Sequence, residues 1–153
     1  MSLTITSPAF RDGEVIPIRH TRDGENLSPP LAWRDAPPET RSYVLIVEDP
    51  DAPSGTFRHW VLYNIPAGET GLPEGTSAQV LRGAGECVNG FGKTRYDGPQ
   101  PPKGHGPHHY HFRLAALDAP RLDIPASTRA EDVWAKVQPH IIAEAEVVGV
   151  YER

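Results

Sequence analysis

Hydrophobic positions along the chain fall in short runs broken by turn residues. SYVLIVED (42–49) and TFRHWVLYNIP (56–66) predict two strands. The second is apolar at both parities, as in a central strand covered on both faces. HYHFRLAALD (109–118) alternates. Tyr110, Phe112, Leu114 and Ala116 share one face, and His109, His111 and Arg113 share the other. RDGE (11–14), RDGEN (22–26), LSPPLAW and DAPPET leave room only for short strands near the start, and 67–108 is loop-rich. One helix is predicted in STRAEDVWAKV (127–137). Thr128 and Glu131 have capping-box spacing, Ala130, Val133, Trp134 and Val137 share a face, and Pro139 breaks or kinks it. AEAEVVGVYER (143–153) fits either a helix or a strand, and Val147, Val148, Val150 and Tyr151 favour the strand. No repeat or linker divides the chain. The pattern predicts a mainly β protein forming a single domain over 1–153, with one or two peripheral helices.

Strand parity also locates polar groups where a core should be. Asp49 shares a face with Tyr43, Leu45 and Val47, and His59 with Phe57, Val61, Tyr63 and Ile65. His108 joins Tyr110 if the third strand begins one residue earlier. Inward polar groups at strand ends need a partner or a ligand. The simplest account of each alone is a bond to nearby backbone; several converging beside a stiff loop point to a site. DPDAPSG (49–55) is such a loop, with Pro50 and Pro53 restricting it and Ser54-Gly55 turning it. Asp49 or Asp51 beside His59 would favour the imidazolium and raise its pKa. Charged histidines, a tyrosine hydroxyl and glycine-exposed amides would together hold a small anion.

Composition narrows the classes. The chain has 153 residues and a formal net charge of −5, which argues against a basic nucleic-acid-binding face. No apolar run approaches the roughly 18 residues of a membrane span. MSLTITSPAF lacks the charged and apolar regions of a signal peptide. Cys87 is the single cysteine, so no internal disulfide forms, and a cytoplasmic location is expected. GFGKT (90–94) ends like a phosphate-binding loop, but the required glycine is replaced by Cys87 and no helix can follow. Cys87 has no basic neighbour in sequence and is expected to be inert. His109 and His111 could chelate a metal, but no third ligand is evident, so neither a metal site nor a cofactor is expected. No serine or cysteine has the setting of a nucleophile, and no catalytic residue is assigned.

DPDAPSG, HWVLYNIP and GPQPPKGHGPHHYHFRLAALD, in that order, resemble the phosphatidylethanolamine-binding protein family. GENLSPPLAW and AEAEVVGVYER are similar to its short bacterial and archaeal Raf-kinase-inhibitor-like members. The resemblance covers nearly the whole chain. It implies a large central antiparallel sheet packed on a smaller sheet, and a cavity for phosphate-like anions or phosphorylated head groups. Carried over, the pocket residues would be Asp49, Asp51, His59, His108 and Tyr110, with Gly98, Pro101 and Pro102 as wall. It also implies a cis Ala52–Pro53 bond. The chain stops at VYER, without the C-terminal helix of the animal members, so the cavity would be more open or covered by a second subunit in a homodimer. His109 stands where several members have arginine, which bears on kinase or protease recognition more than on anion binding. The expected function is non-catalytic: a regulatory protein with a phosphate pocket that modulates a protein target such as a kinase or protease. Two alternatives stand beside it. One is a hydrolase acting on a phosphoester or acyl substrate through Asp49, His59 and Tyr110. The other is a structural or interaction protein with a vestigial pocket.

Overall fold

The computed structural model describes residues 2–125 and 127–153. The described residues form eight strands: β1 (Thr4–Thr6), β2 (Leu31–Arg34), β3 (Ser42–Asp49), β4 (Phe57–Pro66), β5 (Gly71–Leu72), β6 (Gly85–Glu86), β7 (His108–Leu117) and β8 (Ile141–Tyr151). They form a small sheet, β1-β2-β5, and a large sheet, β6-β4-β3-β7-β8, with every neighbouring pair antiparallel. β3 is the middle strand of the large sheet, and β4 beside it is also interior, paired with β3 and β6. The helix α1 (Ala130–Val137) precedes β8.

Three layers follow from which side chains each face presents. Ile5, Leu31, Trp33 and Leu72 of the small sheet pack against Tyr43, Leu45, Val47, Leu62, Phe112 and Leu114 of the large one. The opposite face, with Val44, Ile46, Val61, Tyr63, Ala115 and Leu117, is covered by Ala130, Val133 and Val137 of α1. A sheet covered on both sides explains why β3 and β4 read as apolar at both parities. β8 is a strand, as its β-branched residues favoured.

The helix starts differently from its sequence signature. Arg129 is the N-cap and no side chain caps the first turn, so the Thr128–Glu131 box does not form. The backbone there is engaged elsewhere: Val88 donates to the Thr128 carbonyl, and Ala130 donates to the Val88 carbonyl. Glu131 and Asp132 still lie in the first turn, where the helix dipole favours them. The helix ends at Val137, and Gln138–His140 continues as a 3-10 turn that accommodates Pro139.

Two irregularities in β4 position the site. The pairing with β3 shifts between Tyr43 and Leu45, opposite Asn64, and between Val47 and Glu48, opposite His59. Asn64 adopts φ 55°, and its amide side chain both donates to the Leu122 carbonyl and accepts from the Leu122 N–H. Each extra residue resets the alternation. Trp60, Leu62 and Ile65 therefore face the small sheet, and Val61 and Tyr63 face α1. His59 accordingly does not share the face of Val61 and Tyr63, as uninterrupted parity predicted. It turns with Phe57 toward Tyr110.

Candidate functional site

β3 ends at Asp49, β4 begins at Phe57 and β7 begins at His108, so antiparallel pairing puts all three at one end of the large sheet. A cavity of about 140 Å³ lies there. It is lined by Asp49, Ala52, Pro53, Phe57, His59, Phe91, Gln100, Pro101, Pro102, His108 and Tyr110. Asp49, His59, His108, Tyr110, Pro101 and Pro102 are thus brought together. Asp51 and Gly98 lie outside the lining.

Asp49 is buried, and both its carboxylate oxygens are engaged. Oδ1 accepts the Asp51 N–H at 2.8 Å, and Oδ2 accepts from His108 Nδ1 at 2.6 Å. The first bond folds the loop back on Asp49. The second pairs a buried carboxylate with a buried imidazole, which offsets part of the cost of burying the charge. Asp51 instead faces outward, accepting from the His109 N–H and from His109 Nδ1, both at 2.8 Å. The side-chain bond to His109 holds its carboxyl below the usual carboxylate range, against the opposing effect of burial. His111 meets Glu146 at 3.1 Å. Each histidine of the outward pair thus has its own carboxylate, and among the described residues no three His, Cys, Asp or Glu side chains converge as a metal site requires.

The aspartates do not hold His59. Its Nδ1 donates to the main-chain carbonyl of Asp97 at 2.7 Å, and its ring packs on Phe57, Phe91 and Tyr110. Burial lowers its pKa, outweighing the opposing pull of the Asp97 carbonyl and the Asp49 charge. The expectation of a raised pKa is therefore wrong, because desolvation exceeds the attraction of a carboxylate already engaged by His108. The carbonyl can only accept, so Nδ1 carries the proton, and Nε2 is the ring nitrogen left for a ligand.

A second layer holds this anchor. The buried Asp97 carboxylate accepts from Asn26 Nδ2 and Asn89 Nδ2, each at 2.9 Å, and meets Arg95 at 3.2 Å. Burial alone would raise its pKa, but the bonds from Asn89, Arg95 and Asn26 prevail and keep it low. Gly98 belongs here: its N–H donates to Asn26 Oδ1 at 2.7 Å, and a Cβ would collide with the His20 carbonyl oxygen and lie 2.9 Å from Thr21 Cα. Phe91, stacked under Arg22 with the guanidinium 4.1 Å from its ring centre, closes one wall. Sequence reasoning missed Asp97, Phe91 and Gln100. Asp97 immediately precedes the GPQPP motif, but its part is played by a main-chain carbonyl, which no residue type signals.

Among the described residues no peptide bond is cis, so Ala52–Pro53 is trans. The Gly55 N–H donates to the Ala52 carbonyl at 3.1 Å, which places Pro53 at the second position of a turn. A trans proline belongs at that position, whereas a cis proline belongs at the third.

The two-sheet fold, with a small cavity at its strand ends, and the sequence together place this chain in a known class of binding proteins. The chain belongs to the phosphatidylethanolamine-binding protein family, which it matches over residues 6–152. It is 41% identical to a UPF0098 protein of Aquifex aeolicus, over 99% of this chain and 89% of that one. It is 38% identical to the UPF0098 protein YbhB of Escherichia coli K12, over 97% and 99%. The crystal structure of E. coli YbcL, described as a member of the mammalian family, superposes with a TM-score of 0.95 at 33% identity, covering 100% of this chain and 99% of that one. No helix among the described residues is long and apolar enough to cross a membrane.

Proposed function

We propose that this protein is a non-catalytic regulatory binder that holds a small phosphate-bearing anion in the cavity between β3, β4 and β7. The observation that carries the reading is His59: it lines the cavity, and its Nδ1 is fixed on the Asp97 carbonyl, so Nε2 is the ring nitrogen left for a ligand. Burial keeps the free imidazole neutral, and an anion beside Nε2 would draw a proton onto it, converting an acceptor into a charged donor. Size supports a small ligand. About 140 Å³ is well below the roughly 300 Å³ at which pockets for drug-sized molecules begin, so a phosphate with a short substituent fits better than a whole lipid.

The buried Asp49–His108 pair is also the orienting half of an acid–base device. Against the hydrolase reading, the described lining residues include no serine, threonine or cysteine to serve as nucleophile. The regulatory part of the proposal, modulation of a protein target such as a kinase or protease, rests on the family resemblance.

Calorimetric titration with inorganic phosphate and phosphoethanolamine tests the pocket. Saturable binding to the wild type, lost in a folded His59→Ala variant, is the expected result. A wild type that binds neither compound overturns the reading and leaves the cluster as a structural staple.

A further inference from the structure

His105 lies outside the cavity lining yet touches it chemically. It is exposed, on a loop held by two main-chain bonds: its N–H donates to the Pro102 carbonyl at 3.2 Å, and the Gly104 N–H donates to the Arg153 carbonyl at 3.1 Å. Its Nδ1 stands 2.6 Å from Nε2 of the buried His108. His108 Nδ1 faces the Asp49 carboxylate and must therefore carry a proton. A bond between the two rings then needs one proton between them.

That requirement fixes what the outermost atom presents. In the neutral pair, His105 Nδ1–H donates into the bare His108 Nε2, and His105 Nε2 is a lone pair. One added proton leaves two arrangements: His105 is the cation, or His108 is the cation and donates to His105 Nδ1. In both, His105 Nε2 carries a hydrogen. A second added proton would set two N–H groups against each other across 2.6 Å and break the contact. We infer that His105 and His108 form a one-proton switch at the rim of the cavity, and that binding a tetrahedral dianion takes up one proton through His105. The inference rests on the anion-pocket reading above and adds to it a residue and a proton count.

The groups around the pair fit this account. Asp49 on β3 fixes one end of the relay, and the Asp51 carboxylate is near enough to interact with His108. Tyr110 on β7 stacks on the His108 ring with centroids 6.5 Å apart, and His59 on β4 meets Tyr110 edge-on. Lys103 is exposed on the loop of His105, and the Arg153 guanidinium is paired with Asp23. With His59 held neutral and Asp49 negative, the free site lacks the positive charge that an anion needs, and the switch supplies it on demand.

The test uses the full chain near pH 8, above the ordinary histidine range of about 6.5. Inorganic sulfate is the probe, because it stays a dianion and any proton taken up lands on the protein. Calorimetry in two buffers of different ionisation heat counts those protons. The expected result is about one proton fewer per sulfate in His105→Gln than in the wild type. Affinity should fall by about tenfold less per pH unit in that variant, the slope that one linked proton contributes. His59→Gln should retain the His105-linked share in whatever binding remains. Equal uptake and equal pH slope in wild type and His105→Gln overturn the inference and leave the anion pocket standing. Absence of saturable wild-type binding to both sulfate and phosphate overturns both.

Discussion

Asp49 shows how much one side chain can organise. Its two oxygens take the Asp51 N–H and His108 Nδ1–H, so one buried carboxylate folds the proline loop and aims an imidazole. Replacing it with alanine strands the buried His108 donor, at a cost of about 1–3 kcal/mol, and releases the Asp51 N–H as well. Asn keeps one acceptor oxygen. Urea unfolding should therefore rank wild type above Asp49→Asn, and Asp49→Asn above Asp49→Ala. Equal midpoints for the two variants would show that the second bond contributes nothing. The inward direction of Asp49, His108 and Tyr110 was legible in strand alternation. The partners were not: Asp49 engages His108 rather than His59, and Asp51 engages His109, because pairing depends on which strand ends are adjacent.

Elements are governed here by their irregularities. The two shifts in β4 let His59 turn toward the cavity while Val61 and Tyr63 turn to the helix. Asn64 holds one of them through φ 55° and two bonds to Leu122. Asn64→Ala should lose about 2–3 kcal/mol, and Asn64→Gly about 1 kcal/mol less, because glycine avoids the left-handed penalty but not the lost bonds. Thermal or urea unfolding of both variants checks the order. Gly98→Ala pushes a methyl into the His20 carbonyl and disturbs the Asn26–Asp97 layer behind His59. It should weaken phosphate binding and stability together, and calorimetry showing binding unchanged would separate that layer from the site. The helix was legible from its apolar face, but its cap was not. The backbone of 128–130 pairs with Val88, some 40 residues earlier in the chain, and that contact displaced the local signal.

At the scale of the whole molecule, buried His59 and Asp97 contribute to the acid limit of stability. The folded pKa of His59 is below its unfolded value of about 6.5. Its contribution is complete above that value and is lost as pH falls from there toward the folded pKa, because the unfolded chain binds the proton first. Asp97 is depressed below 3.8, so its contribution persists above that value and disappears as pH falls through the folded pKa. Melting temperatures should therefore decline in a first step below about pH 6.5 that His59→Gln removes, and in a second, more acidic step to which Asp97 contributes. A His59→Gln profile that keeps the first step would place its origin in another group.

The sequence by itself determined the segments of β3, β4 and β7, favoured a strand for β8, and showed that the protein is mainly β, because alternation and turn residues act locally. It also carried the family, through motifs spread along the chain. Only the tertiary structure decided the order of the strands, that bulges reset the parity of β4, and that a distant main-chain carbonyl anchors His59. It alone showed His105 resting on His108. These features arise where residues far apart in the chain meet, and the free energy of such a contact is a property of both partners together.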